Sequence, residues 1–432
     1  MSSSAISPDR IAQLTARERA RFAAARPRSA ALAARNAEHL LFGVPLHWMS
    51  DWGTPFALHV AEARGAQLTD VDGHRLVDFC LGDTGAMFGH SPAPVVTALQ
   101  AQAARFGLPR WQFAMTATDA NRFLLRWLRA VTGRTVLLVF NGCYHGTVDD
   151  VFVDLVDGQP VQRASLLGQV HDLTQTTRVV EFNDLAALEA ALAPGDVACV
   201  LAEPVMTNIG MVLPEPGFWP AAAELVRRHG SLLVLDETHT ISSGPGGYAR
   251  AHGLAPDALV LGKPLGGGMP CAAYGFTAEL AARCEAAKRA APPGHSGIGT
   301  TLTANLLAMA AMRATLSTLM TDAVYQPMLA LAGELAQGLR GAIARHGLPW
   351  CVSQVGARAE FQFCALPPRN GSEAAAAMSD ALEHLLHLAL LNRGVLITPF
   401  HNMMLVCPET STADVARLVQ AFDAVLAELT AP

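Results

Sequence analysis

The chain has 432 residues, of which 51% are hydrophobic and 16% are charged, and its formal net charge is −6. This length is sufficient for two domains, or for one large α/β domain with a smaller attachment, and the apolar content predicts a well-buried soluble globule. No basic face or block of lysine and arginine recurs, which excludes a typical nucleic-acid-binding protein. Only two of the 31 lysines and arginines are lysines, Lys263 and Lys288.

The first 40 residues predict helix. Arginines are frequent in "RERARFAAARPR" (17–28), but alanines at helical spacing favour a solvated amphipathic helix. A transit peptide is the alternative, and Asp9 and Glu18 argue against it. No secretory signal and no apolar run long enough to cross a bilayer is evident. Eight cysteines without CxxC or zinc-ligand spacing predict a reducing, cytoplasmic compartment.

Strand patterns begin after this helical segment. Residues 58–80 predict two or three short strands with a turn at Asp72-Gly73. From about 90 to 300, short apolar runs alternate with helical stretches, and this alternation predicts a parallel sheet covered on both faces. The main runs are 135–140, 197–205, 231–238 and 258–263, with a helix over 218–230.

The C-terminal part predicts long helices over 303–346 and 374–393, followed by strands at "FQFCAL" (361–366) and "MMLVC" (403–407). We therefore predict a large central domain over 76–320. A smaller domain would be built from both ends of the chain, 1–75 and 321–432.

Polar side chains follow several of the predicted strands. In open α/β sheets, ligands bind at the carboxyl ends of the strands, so these residues are candidates for a site. Helix capping is the alternative for any one of them, but five successive strand ends carry such residues. The candidates are Thr116, Thr118, Tyr144, His145, Glu203, Asp236, Glu237 and Lys263.

Two of these candidates suggest specific chemistry. Lys263 closes an apolar run and precedes "PLGGG". Burial disfavours the ammonium form, so such a lysine can act as a nucleophile, although a lysine beside a surface turn is the alternative. Asp236 ends "SLLVLD", where a buried carboxylate needs a cationic partner, either a protonated pyridine nitrogen or a structural arginine.

The segments "MTATDANRF" (115–123) and "NGCYHG" (141–146) are consistent with a bound, planar anion. The first places Thr116 and Thr118 where a strand leads into a helix, and helix N-termini bind anions. The second places the ring of Tyr144 between glycines, where it could stack on a ligand. The alternatives are helix capping for the two threonines and core packing for Tyr144.

In these motifs the chain resembles the class III aminotransferases, pyridoxal-phosphate (PLP) enzymes of fold type I, and within them the glutamate-1-semialdehyde aminomutase and β-amino acid aminotransferase branch. The resemblance extends from about 56 to 425 and implies a mostly parallel seven-stranded sheet between helices, plus a smaller α+β domain. The matching segments are "LTDVDGHRLVDF", "GCYHGT", "LAEPV", "LLVLDET", "LGKPLGGGMP" and "GTTLTAN".

The resemblance also implies roles for individual residues. Lys263 would hold PLP as a Schiff base and then transfer protons, while Asp236 would keep the pyridine nitrogen protonated. Tyr144 and Thr238 would cover the two ring faces, with His145 beside the ring. Thr116, Ala117 and Thr118 would hold the phosphate, together with Thr301 from a second subunit of a homodimer. The residues expected near the ring hydroxyl or substrate are Glu203, Asn208 and His239.

The chain departs from the family pattern at several points. The phosphate turn reads Thr-Ala-Thr-Asp-Ala instead of Ser-Gly-Thr-Glu-Ala, and His239 replaces the usual Gln or Met. Relatives have about twenty more residues between 94 and 116. Either the protein lacks this helix and loop or the sequence omits them, and the exposed sheet face that a missing helix would leave favours the second explanation.

The predicted substrate pocket also differs. Some relatives place a carboxylate-binding arginine near the "ITP" strand, where this chain has Phe400 and His401. Arg358 could compensate, although a surface salt bridge is the favoured interpretation for it. Together with His47 and Trp48, the residues after "ITP" suggest a bulky or aromatic pocket.

These features predict an aminotransferase that moves an amino group from an amine, or from a β- or bulky amino acid, to a keto acid. An intramolecular aminomutase of the glutamate-1-semialdehyde type and a non-catalytic homologue are the alternatives. No metal, nucleic acid or membrane is expected to take part. No GxGxxG motif follows the first strand of a βαβ unit, which argues against a dinucleotide-binding protein.

Overall fold

A computed structural model describes residues 6–37, 52–81, 86–90, 112–292, 294, 296–300, 302–303 and 306–431. Three predicted site residues, His47, Trp48 and Thr301, lie outside the described residues. The segment between 94 and 116 that differs in length from the relatives is described only from residue 112 onward.

The described residues form twelve helices and sixteen strands. The helices are α1 Pro8–Ala25, α2 Pro27–Asn36, α3 Ala117–Thr132, α4 Leu185–Leu192, α5 Phe218–Arg228, α6 Gly247–Ala251, α7 Ala278–Ala290, α8 Leu306–Ala314, α9 Asp322–Arg345, α10 Gly371–Ala377, α11 Asp380–Leu391 and α12 Thr412–Thr430. The strands are β1 Val60–Arg64, β2 Gln67–Asp70, β3 Arg75–Asp78, β4 Gln112–Ala114, β5 Val136–Phe140, β6 Val153–Val156, β7 Gln159–Gln162, β8 Thr177–Val180, β9 Val197–Ala202, β10 Leu232–Asp236, β11 Ala258–Leu261, β12 Ala272–Phe276, β13 Cys351–Val355, β14 Arg358–Gln362, β15 Val395–Leu396 and β16 Met403–Leu405.

The described residues divide into two compact units. One, here called the sheet unit, contains residues 112–322 and 368–376. The other, the terminal unit, contains residues 6–90, 323–367 and 377–431, so both ends of the chain contribute to it. Among the described residues, no helix combines the length and apolar content needed to span a membrane.

The sheet unit is built on seven strands in the order β4-β12-β11-β10-β9-β5-β8. Strands β11, β10, β9, β5 and β8 are parallel, while β12 is antiparallel to both of its neighbours. The prediction of a mostly parallel seven-stranded sheet is therefore confirmed. Because all five residues of β10 are buried, this strand shows the continuous apolar run expected of a parallel sheet covered on both faces.

Alternate residues of β5 enter separate apolar layers. Leu137 and Val139 belong to a core cluster that includes residues of α3. Phe140 instead packs on Phe182, with ring centroids 5.0 Å apart, and on Phe218 at the start of α5, 5.9 Å away. The period-two alternation of a strand places these side chains on opposite faces, so apolar side chains cover both faces of the sheet.

The terminal unit contains a four-stranded sheet, β1-β2-β3-β15, and a three-stranded sheet, β13-β14-β16. Of the two or three strands predicted within 58–80, three are present, β1, β2 and β3. The turn at Asp72-Gly73 is present too, because Gly73 has φ +92° and its N–H donates to the carbonyl of Asp70 at 3.0 Å. Such a φ favours glycine.

Some predicted boundaries were wrong. The long helix pattern over 303–346 is interrupted by a π-helical turn at Thr315–Leu319. There the hydroxyl groups of Thr315 and Thr318 donate to backbone carbonyls four residues earlier, and such bonds disturb regular helix geometry. The strand expected at 361–366 begins earlier, as β14. The pattern over 374–393 is divided into α10 and α11 at Ser379, the N-cap of α11.

Candidate active site

The turn from β4 into α3 begins the site in the sheet unit. Thr116 is the N-cap of α3, and its hydroxyl accepts a hydrogen bond from the Asp119 N–H at 3.1 Å. The capping interpretation of Thr116 is therefore correct. Ala117 and Thr118 occupy the first two helical positions, whose N–H groups have no partner within a helix and favour an anion.

Two glycines allow neighbouring segments to approach this helix terminus closely. A Cβ atom on Gly146 would lie 2.2 Å from Oγ1 of Thr118, which accepts the Thr147 N–H at 3.1 Å. A Cβ atom on Gly262 would lie 2.8 Å from the Cβ of Ala117 and 3.4 Å from Oγ1 of Thr238. The segments after β5, β10 and β11 therefore converge on the start of α3.

The carboxylate of Asp236 lies at the buried end of β10. Its Oδ2 contacts Nδ1 of His145 at 3.0 Å and accepts from Nδ2 of Asn121 at 3.0 Å. Its Oδ1 accepts the Thr238 N–H at 3.0 Å. Among the described residues, the cationic partner of Asp236 is therefore histidine and not the arginine that the sequence left open. Asn121, which also donates to the carbonyl of His145 at 3.1 Å, was not predicted.

His145 and Asp236 stabilise each other's charge. Burial lowers the pKa of His145, but the interactions with Asp236 and Cys143 together outweigh this effect and raise the pKa to about 10. Burial would likewise raise the pKa of Asp236, and the contacts from His145, Thr238 and Asn121 lower it to about 2. Both groups of the pair are therefore ionised at neutral pH. Only an ionised carboxylate at this position could attract a further cation.

Lys263 follows the end of β11 by two residues. It begins a 3₁₀ turn, Lys263–Gly266, and has φ +33°, a conformation uncommon for any residue with a side chain. Its half-buried side chain brings Nζ into hydrogen-bond contact with Nε2 of His239. The amine is thus held against an imidazole.

Glu203 and His239 are connected through Thr207. The Thr207 hydroxyl donates to Oε2 of Glu203 and contacts Nδ1 of His239 at 2.7 Å. Asn208 donates to the other oxygen of Glu203, Oε1, at 2.9 Å. The predicted residues Glu203, Asn208 and His239 are therefore brought together next to Lys263, while Thr207 was not predicted.

Tyr144 and Thr238 directly precede His145 and His239 in the chain. Tyr144 follows Gly142, whose φ is +80°, and its side chain is 39% exposed. The hydroxyl of Thr238 is buried and has no hydrogen-bond partner among the described residues. Buried hydroxyl groups are normally paired, so this atom is available for a ligand. The assignment of Tyr144 and Thr238 to the two faces of a ring stays a prediction.

The predicted pocket residues of the terminal unit lie in a different environment. Phe400 is 40% exposed, whereas His401 is buried and its Nδ1 contacts Oε1 of Glu360 at 3.1 Å. Arg358, in β14, is fully buried, so the expected surface salt bridge is wrong. Arg358 lies in β14, the central strand of the three-stranded sheet, and all five residues of this strand are buried.

The side chains of the sheet unit fit the chemical groups of PLP. The start of α3 provides N–H donors for a phosphate, Asp236 an ionised carboxylate for a pyridinium nitrogen, and Lys263 an amine for an aldehyde. The unpartnered hydroxyl of Thr238 adds a polar contact, and Gly262, which has no side chain, lets the segment before Lys263 lie close to Ala117 and Thr238. We therefore regard this group of residues as the candidate PLP site.

Comparison with known proteins leads to the same cofactor. The structure matches a glutamate-1-semialdehyde-aminomutase from Pseudomonas aeruginosa PAO1, also solved in complex with PMP, with a TM-score of 0.95 and 47% identity over 98% of this chain and 99% of that one. It also matches a beta-phenylalanine aminotransferase from Variovorax paradoxus, with a TM-score of 0.83 and 27% identity over 96% and 97%. The fold is that of a PLP-dependent transferase of fold type I.

The sequence comparisons identify the family. The profile of the class-III aminotransferases matches residues 107–426. A glutamate-1-semialdehyde 2,1-aminomutase of Sorangium cellulosum (strain So ce56) is 35% identical over 369 residues, covering 79% of this chain and 82% of the relative. The chain belongs to the class-III aminotransferase family of PLP-dependent enzymes.

Proposed function

We propose that the protein is a PLP-dependent aminotransferase that moves an amino group from an amine, or from a β- or bulky amino acid, to a keto acid. One observation carries this proposal. The ionised Asp236 is the last residue of β10, paired in register with Val260, and Lys263 follows the adjacent parallel strand β11. An amine and a buried carboxylate at one sheet edge are the two groups that PLP chemistry requires.

When bound, PLP supplies an aldehyde that takes up the amino group and a ring that accepts electrons from the amino-bearing carbon. Asp236, kept ionised by His145, would hold a proton on the ring nitrogen. Thr116, Ala117 and Thr118 would bind the phosphate, while Tyr144 and Thr238 would orient the ring. Nζ of Lys263 would accept a proton from one substrate carbon and return it to another position.

The residues after the "ITP" segment support the choice of substrate class. The stretch 397–404 contains Phe400, His401 and Asn402 but no arginine. The imidazole of His401 already contacts Glu360. Since planar, bidentate recognition of a carboxylate is the typical role of arginine, this stretch favours an amine or an amino acid whose carboxylate is bound elsewhere.

An aminomutase is the second candidate, because the relatives at 47% and 35% identity carry the name glutamate-1-semialdehyde aminomutase. Such an enzyme would use the same Lys263 and Asp236 but keep its intermediate bound until the amino group has moved within one molecule. The two candidates therefore differ in product release and not in their proton-transfer residues.

We further propose a cytoplasmic homodimer with shared sites, to which Thr301 would contribute across the interface. Two features support this proposal. The resemblance to the family implies a phosphate contact from a second subunit, and all eight cysteines are free, as expected in a reducing compartment.

The test is product analysis without an added amino acceptor. The PLP-loaded protein is mixed with glutamate-1-semialdehyde, or with one member of a panel of amines and β-amino acids, and product per site is counted. An aminotransferase stops after one product per site and resumes when a keto acid is added. A mutase isomerises glutamate-1-semialdehyde over many turnovers without an acceptor, and this result would replace our proposal by the second candidate.

A further inference from the structure

An uninterrupted chain of hydrogen bonds extends from Glu203 to the amine of Lys263 within the sheet unit. It passes through the Thr207 hydroxyl and both nitrogens of His239. Glu203, Thr207 and His239 are all at least nine-tenths buried, with exposed fractions of 5%, 1% and 3%. Water therefore has little access to the polar atoms between the carboxylate and the amine.

When Glu203 is ionised, the number of hydrogens fixes the direction of these bonds. The Thr207 hydroxyl has one hydrogen, and it is donated to the Glu203 carboxylate. Its oxygen must then accept from His239, which places the imidazole proton on Nδ1. Nε2 of neutral His239 consequently carries a lone pair and accepts a hydrogen bond from Nζ of Lys263.

All hydrogen bonds of the chain can also point in the opposite direction. If Glu203 is protonated, it donates to Thr207, Thr207 donates to Nδ1, and Nε2–H of His239 donates to the lone pair of a neutral lysine. Every atom of the chain has a partner in both arrangements. The two arrangements differ by the movement of one proton across each hydrogen bond.

We propose that His239, Thr207 and Glu203 form a proton relay that removes a proton from Nζ of Lys263 and returns it. Nζ gives a proton to Nε2 of His239, Nδ1 gives one to Oγ1 of Thr207, and the hydroxyl gives its own to Oε2 of Glu203. The net result is a neutral amine and a carboxylic acid, with no other reactant. The relay rests on the proposed function, since it prepares this lysine for covalent chemistry.

Three features make Glu203 suitable as the terminal acceptor. Burial raises its pKa, against the opposing effects of His145 and of the contacts from Thr207 and Asn208. Asp236 also raises it, so the charged groups around Glu203 partly compensate each other. Asn208 occupies only Oε1 and leaves Oε2 for the relay.

The loop that carries Thr207 is held in place by backbone contacts. The Met206 N–H donates to the carbonyl of Val212 at 3.1 Å, and the Val212 N–H donates back to Met206 at 3.0 Å. This isolated bridge closes the loop between the two residues and holds the backbone next to Thr207. His239 is a catalytic residue in this scheme because it touches Nζ, while Thr207 and Glu203 are positioning residues.

The test compares Thr207→Val, which removes the hydroxyl at nearly constant shape, with Thr207→Ser, which keeps it. The cofactor is first stripped from the full-length chain. The rate of covalent PLP capture is then followed by absorbance from pH 6 to 9. Capture forms a C=N bond between Nζ and the aldehyde carbon and releases water, and only the neutral amine attacks. We expect Thr207→Val to slow capture by about tenfold or more and to change its pH profile, with Thr207→Ser close to wild type.

A second measurement needs no cofactor. The tautomer of His239 is read from ¹⁵N-histidine spectra, with His239→Gln used for assignment. The relay requires the Nδ1–H form in wild type and Thr207→Ser, and its loss in Thr207→Val. An unchanged tautomer, or Thr207→Val capturing PLP at the wild-type rate and pH dependence, would overturn the relay. Equal slowing in both variants without a change of profile would also overturn it, because it would indicate a packing effect.

Failure of the proposed function gives a different result. In that case wild type and Lys263→Ala would show the same absorbance on addition of PLP, whatever residue 207 is. The tautomer measurement would still decide whether the hydrogen-bond chain has the direction proposed here.

Discussion

The strongest electrostatic prediction concerns His145, whose imidazolium is fully buried against Asp236. We consider His145→Gln, which keeps a polar side chain but removes the cation. In the variant, Asp236 retains the hydrogen bonds from Asn121 and from the Thr238 N–H, but it becomes a buried carboxylate without a charged partner. Removing one member of a buried ion pair typically costs about 3–5 kcal/mol, because the remaining charge stays desolvated.

The pKa shifts give the magnitude and the pH range. The pKa of His145 rises from 6.5 to about 10 on folding, so its contribution is fully present below pH 6.5 and disappears as the pH rises through 10. Each pKa unit corresponds to about 1.36 kcal/mol, so this shift stabilises the folded protein by about 5 kcal/mol below pH 6.5. The pKa of Asp236 falls from 3.8 to about 2, so its contribution is present above pH 3.8 and is lost as the pH falls through 2. The pair therefore stabilises the protein most between about pH 4 and 6.5.

The assay is urea unfolding of the cofactor-free protein at several pH values from 6 to 10.5, because bound PLP would add its own stabilisation. We expect His145→Gln to be less stable than wild type by roughly 3–5 kcal/mol at pH 6. This difference should decrease as wild-type His145 loses its proton towards pH 10. The exposed His171 supplies the control, His171→Gln, which should match wild type throughout. A difference that stays constant over this range would refute the assignment of an imidazolium and indicate lost packing instead.

Three further predictions concern cofactor binding and the terminal unit. Lys263→Ala should abolish covalent PLP uptake and slow amino transfer by about 10²–10⁴-fold, whereas Lys288→Ala should match wild type in absorbance and single-turnover assays. Gly262→Ala should weaken PLP binding by roughly 10–100-fold, as measured by PLP titration, because the added Cβ would lie 2.8 Å from that of Ala117 and displace the start of α3. Gly333→Ala, whose Cβ meets nothing closer than 3.9 Å, should bind PLP like wild type. Burial raises the pKa of Glu383 from 4.5 to about 7. Between these pH values its carboxyl group is ionised in the unfolded chain but protonated in the folded one, so the stability of the folded protein falls as the pH rises. Glu383→Gln should therefore gain up to about 3 kcal/mol in urea unfolding at pH 8 and nothing at pH 4.5, and equal effects at both would contradict this reasoning.

The sequence was most informative where one strand pattern led directly to one functional residue. The apolar run of β10 predicted both a buried strand and a carboxylate at its end. Both could be predicted because hydrophobic periodicity depends only on residues that are close in sequence. The same holds for Lys263 after β11. The antiparallel β12 was not predicted, because strand direction depends on connections over long distances and not on the local pattern.

Residues that act through a neighbour were the ones the sequence did not reveal. Asn121 lies in the helical segment "MTATDANRF", where an asparagine has no distinguishing spacing, and its role depends on Asp236 from a strand 115 residues further along the chain. Thr207 follows "AEPV" without a motif of its own. A threonine after an acidic strand end, three residues beyond a proline, could have been examined as a bridge, but its partner His239 is 32 residues away.

The substitution at position 239 shows why this limit matters for function. The family usually has Gln or Met there, and the sequence alone suggested only an altered contact to the ring hydroxyl. In the fold, the imidazole lies between an amine and a hydroxyl that bonds a buried carboxylate. Gln could bridge the same two groups, but its amide does not exchange a proton between its two ends at neutral pH, whereas imidazole does. In the proposed relay, histidine at position 239 therefore adds a proton-transfer step that glutamine could not carry out. This difference can be recognised only from the fold, which places Thr207 and Glu203 on the side of the imidazole opposite Lys263.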